Sequence, residues 1–111
     1  QFQFDQIYAT KAEDGISKYL RIYDDGLVLM VNSKDDFSKV KEYFNRDSQE
    51  TEFVFLYKSQ SKIKDGIKAS FVLENDGNKI NCIAQGHGDQ ITLVMLSPNA
   101  GKQEAVFTIV K

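Results

Sequence analysis

Residues 19–31 read YLRIYDDGLVLMV, and the way this stretch turns back on itself decides the fold. Asp25-Gly26, set between two runs of strand formers, is a hairpin signal, because a type I′ turn needs positive φ at both central positions. A two-residue loop there sets Leu20 against Val31 and Ile22 against Leu29, one wholly apolar face. Tyr19, Arg21 and Tyr23 then share the other face with Met30 and Val28, apolar bodies carrying polar tips. The returning strand is apolar on both sides.

Outward from this hairpin the pattern is mostly period two. Before it, FQFDQIYATK gives a first strand with imperfect alternation in Phe2, Phe4 and Ile7, and AEDG gives a turn. After it comes one helix, expected over 35–45. Ser33 can cap it, with Asp36 three residues on as a capping-box acid. Phe37, Val40, Tyr43 and Phe44 follow as a single apolar stripe. Asp35 and Asp36 suit the positive end of the helix dipole and Arg46 the negative end.

EFVFLYK (52–58) then places Phe53, Phe55 and Tyr57 on one face and Val54 and Leu56 on the other. IKASFVL (67–73) sends Ile67, Ala69, Phe71 and Leu73 one way. Asp76-Gly77 marks another hairpin, KINCIAQ aligns Ile80, Cys82 and Ala84, and GHGD turns the chain into QITLVML. SPNAG leads to the last strand, EAVFTIV. About eight strands joined by short turns form an antiparallel meander, and closing it removes its exposed edges. The expected class is mainly β: a small up-and-down antiparallel barrel with the helix across one end. A two-sheet sandwich is the alternative.

Composition sets the frame. The chain has 111 residues, 41% hydrophobic and 27% charged, with eight Phe, five Tyr and no Trp, which fits a single folded domain over 1–111 rich in strands. One proline and short apolar runs leave no transmembrane segment. Net charge is −2, against the concentrated basic face of a nucleic-acid binder. The first residue is Gln1 rather than methionine. The expectation from that start is a trimmed or mature chain, secreted or periplasmic rather than cytoplasmic.

Tyr19, Leu20, Arg21, Tyr23, Asp25, Gly26 and Val28 resemble the Y-L-R-F-Y/F-x-D-G-x-V segment of a small β-barrel module. That module occurs in bacterial proteins of unknown function and in the C-terminal region of the F-box only protein 9 family. Ile22 stands where the segment has an aromatic, and the resemblance covers residues 18–31. It implies a lipocalin-like barrel and no chemistry.

Tyr19, Arg21, Tyr23 and Met30 are the candidate site. Three readings compete: an outer wall with Arg21 stacked between tyrosine rings; a partner-binding patch, since Tyr, Met and Arg are enriched in interface cores; or a cavity lining in which Arg21 grips a carboxylate. The wall reading leads. His87, the only histidine, sits in a turn with Asp89 near it, but no nucleophile or further metal ligand accompanies them. Cys82, the only cysteine, alternates with interior residues and reads as a buried, inert thiol. The paired acids lack calcium-loop spacing and read as turns and caps.

Lys58, Lys62, Lys64 and Lys68 beside Phe53, Phe55 and Tyr57 suggest an oligonucleotide-binding barrel. The strands after the helix are too many for that fold, and the lysines more plainly guard the FVFLY run against aggregation. The functional expectation is a non-catalytic binding or protein-interaction domain, with no cofactor and no metal. The alternative is a carrier enclosing a small apolar or amphipathic ligand. A homodimer through aromatic faces stays open.

Overall fold

The computed structural model describes residues 1–47, 56–75, 77–98 and 100–111. Phe53, Val54, Phe55, Asp76 and their expected roles lie outside the described residues. The strands are β1 (Ile7–Ala9), β2 (Ser17–Ile22), β3 (Leu27–Ser33), β4 (Leu56–Gln60), β5 (Lys62–Lys64), β6 (Lys68–Asn75), β7 (Asn78–His87), β8 (Gln90–Ser97) and β9 (Gly101–Ile109), with α1 (Phe37–Tyr43) between β3 and β4. They form one antiparallel sheet in the order β4-β3-β2-β1-β9-β8-β7-β6-β5. The sheet coils into a nearly closed barrel. Its two ends meet where β4 runs into β5: Ser59 Oγ donates to the Val72 carbonyl of β6 (2.8 Å), and Ser61, buried, donates through both N and Oγ to the Gly26 carbonyl.

The Asp-Gly signals divide. Asp14-Gly15 and Asp65-Gly66 have positive φ at both positions, as a type I′ turn requires. At Asp25-Gly26 only Gly26 does, at +94°. Tyr23 N donates to the Leu27 carbonyl and Gly26 N to the Tyr23 carbonyl, so Asp24, Asp25 and Gly26 form a three-residue loop with glycine at its left-handed position. The Asp25 carboxylate steadies it by accepting from Leu27 N at 3.2 Å.

The expected register is therefore off by one. Tyr19 lies opposite Val31, Leu20 opposite Met30, Arg21 opposite Leu29 and Ile22 opposite Val28. A one-residue slip normally exchanges core for solvent. Because β3 is apolar on both sides, that penalty is small here, and the loop chemistry of Asp25 decides.

Leu20, Ile22, Val28 and Met30 point into the barrel with Tyr8, Ala69, Phe71, Leu73, Cys82, Ala84, Ile91, Leu93 and Phe107. No charged group is buried among the described residues. The period-two alternation expected for β6 and β7 holds at Ala69, Phe71 and Leu73 and at Cys82 and Ala84. Ile67, which precedes β6, is exposed. The first strand is shorter than expected. Asp5, at φ +62°, breaks the chain, so Phe2 and Phe4 do not extend β1. Instead residues 1–5 cross one end of the barrel: Phe2 N donates to the Gly66 carbonyl and Asp5 N to the Ile22 carbonyl. Phe2 packs into the core over Gly86, where an added Cβ would meet the Phe2 ring at 2.9 Å.

The helix does not cross an end. It lies on the outer wall of β1–β4, where Val40 and Phe44 bury Ile7, Tyr19, Leu29, Val31 and Leu56 in a second core. It is also shorter than 35–45. Asp36 rather than Ser33 is its cap, with the side chain accepting from Lys39 N, while Ser33 Oγ accepts from Asp35 N. Arg46 leaves the helix end and pairs with Asp25.

Candidate functional site

β2 presents Tyr19 and Arg21 outward, with Tyr23 just beyond its end, on the wall that α1 covers. Met30 is separated from them: the register puts it on the opposite face, inside the barrel and 5% exposed. The four residues thus do not form one patch.

The Arg21 side chain is 18% exposed, and its fork is occupied. Nε and Nη2 donate to Asp5 Oδ1 at 3.1 and 2.6 Å, and Nη1 donates to the Phe44 carbonyl at 2.7 Å, just past the last residue of α1. Its guanidinium stands 5.3 Å from the Tyr23 ring centroid, and that of Arg46 stands 4.5 Å from the same centroid. The Tyr23 hydroxyl accepts from Arg46 N at 3.2 Å. Burial pushes the Tyr23 phenol above its ordinary value, against the opposing pull of Arg21. Arg46 in turn donates to Asp25 at 2.6 Å and holds that carboxyl below the usual range. Tyr19 packs edge-on against Phe44, with ring centroids 6.4 Å apart, and donates to the Asp35 carbonyl. This cluster fastens α1 and the N-terminal segment to the barrel. The Arg21 guanidinium is engaged by Asp5, Phe44 and the Tyr23 ring rather than held out for a ligand carboxylate.

The other half of the outer wall is bare. On β6–β9 the outward positions hold Val72, Ile83, Val94, Leu96 and Val106, and four of them are between 41% and 52% exposed. Ile83 lies directly opposite Val94, and the pairing of Asn81 with Leu96 and of Thr92 with Val106 sets the others on neighbouring diagonals. Ser70, Asn81, Gln85, Thr92, Lys102 and Glu104 frame them. An apolar group rimmed by polar residues is the usual look of an interaction surface. The sequence reading passed over this face. Its signal is apolar residues in both phases of VL, CI, LVML and AVF, where a half-solvated strand should alternate.

The remaining candidates go their own ways. His87 is exposed at the β7–β8 turn, opposite Gln90. Asp89 does not orient it: its carboxylate accepts from Gln3 Nε2 at 3.0 Å and pairs with Lys111 at 3.6 Å. Cys82 is buried in the barrel, and burial pushes its thiol up to about 11, where almost no thiolate forms at neutral pH. The lysine cluster splits. Lys58 donates to the Arg46 carbonyl at 2.9 Å, whereas Lys62, Lys64 and Lys68 stand outward on β5 and β6. Among the described residues no three His, Cys, Asp or Glu side chains gather as a metal site would need. Among the described residues no helix is long and apolar enough to cross a membrane.

No family model, curated protein or solved structure matches the chain.

Proposed function

We propose that the domain is a non-catalytic interaction module that binds a protein partner through the bare β6–β9 face. The observation that carries this reading is the asymmetry of the outer wall. α1 buries the apolar residues of β1–β4, while the equivalent residues of β6–β9 stay in contact with water. Soluble proteins tend to keep such clusters uncovered where something docks. The resemblance of residues 18–31 to a barrel module that implies no chemistry points the same way.

Carriage of a small amphipathic ligand finds less support. The buried interior side chains are apolar. The hydroxyl of Tyr8 accepts from Gln3 N at 3.0 Å, within the protein itself. A ligand site needs a few convergent polar groups to fix orientation.

The test is site-specific photo-crosslinking in native cell extract. A benzophenone side chain at Ile83 or Leu96 is expected to give one discrete adduct, and the same probe at Glu42 on α1 none. The captured protein, once purified, should bind the domain directly and lose that binding to Ile83→Lys. Equal labelling from all three positions would overturn the proposal.

A further inference from the structure

We propose that the free edge of β9 accepts an extended peptide as an added strand. This deepens the interaction reading and rests on it. β1 and β9 pair only at Tyr8↔Ile109 and Ala9↔Thr108. Beyond Ala9 the chain turns to its other neighbour: Thr10 N donates to the Lys18 carbonyl, and Lys18 N donates to Thr10 Oγ1. The β1–β2 hairpin therefore peels away and opens a groove of about 540 Å³ beside Glu104 and Val106.

The backbone on that side is ready to pair. Val110 N donates to the Ile7 carbonyl, and Ile109 N donates the opposite way, to Asp89. By the two-residue period of a strand, Glu104 and Val106 aim their N–H and C=O groups into the groove. Among the described residues no strand pairs with β9 on that side beyond Ala9↔Thr108. Unpaired strand edges are templates for another strand.

The occupant is set by shape and charge. Thr10, Lys11 and Lys18 form the far wall, so there is room for one extended chain. A second copy offering its own β9 edge would bring its own hairpin into the same space. Lys11, Lys18, Glu13 and Asp14 share the hairpin side and Glu104 stands on the β9 side, two basic against three acidic groups, so neither sign of charge is concentrated there. The floor offers Ile16 and Val106, both exposed. The fitting ligand is an extended, uncharged segment with apolar side chains at alternate positions. Its outward residues would continue the bare β6–β9 face.

The probe is a phage-displayed random dodecamer library, panned on the whole domain, with the selected peptide then added to isotope-labelled protein. Amide exchange at Glu104 and Val106 should slow on binding. Val106→Pro, which deletes one donor, should weaken binding by about tenfold, on the order of one net hydrogen bond, and Ile16→Glu, which sets a charge on the apolar floor, should weaken it as well. Should Val106→Pro fail to fold, Ile16→Glu and the exchange pattern still decide. Protection at Ile83 and Leu96 instead would overturn the edge site and leave the face standing. Failure to select any peptide would also overturn it, while the crosslinks from Ile83 judge the face separately.

Discussion

Arg21 makes its contacts inside the molecule. Four hydrogen bonds tie it to Asp5 and to the carbonyl of Phe44, so it joins the N-terminal segment, β2 and the end of α1. Arg21→Ala should lower unfolding free energy by about 2 kcal/mol in urea titration, since bonds to charged groups exceed neutral ones. Arg21→Lys should recover little, because an ammonium cannot bridge two separate acceptors as a planar fork does. Asp5→Asn should cost less than Arg21→Ala, Asp5 being largely exposed. Equal stability of Arg21→Ala and the parent would refute the clamp. Sequence placed Arg21 and its tyrosines on the outer wall with the guanidinium in water; the structure keeps them on that wall but leaves the Arg21 side chain only 18% exposed, over the Tyr23 ring alone. The cover comes from Phe44 and Asp5, distant in the chain, and no local pattern announces it.

At the scale of elements, the loop between β2 and β3 controls how the sheet closes. Gly26 has φ +94°, and a Cβ there would lie 2.6 Å from Gln60 Nε2 and 2.8 Å from the Ser61 carbonyl. Gly26→Ala should therefore destabilise the fold by more than about 2 kcal/mol, combining backbone strain with a backbone clash. Gly88 also has positive φ but nothing within 4 Å of its Cβ position, so Gly88→Ala should cost clearly less in the same thermal unfolding measurement. Equal losses would show that strain alone matters and that the β4–β5 corner yields freely. Strands were legible because inward positions such as Phe71, Leu73, Cys82 and Ala84 keep period two. The register of the first hairpin was not. Asp25-Gly26 fits two loop lengths, and β3, apolar on both sides, offers no solvent penalty to choose between them. The helix stripe was legible too, but its cap moved from Ser33 to Asp36 because Ser33 is still the last residue of β3.

For the whole molecule, the barrel divides into a covered half and a bare half. Leu29 and Val31 on β3 look much like Ile83 and Leu96 in sequence, all apolar residues outside the inward phase. Which pair stays wet depends on where α1 lands, a long-range fact that alternation does not carry. Because Ile83 and Leu96 already face water, Ile83→Lys and Leu96→Lys should each change stability by less than about 0.5 kcal/mol, while abolishing partner capture.

The most direct measurement is methyl NMR of the free domain with a soluble paramagnetic agent. The account predicts strong relaxation of the Val72, Ile83, Leu96 and Val106 methyls and several-fold weaker relaxation of Ile7, Leu29, Val31 and Val40. Equal relaxation of the two sets would contradict it, because the helix would then cover nothing and the bare face would have no special standing.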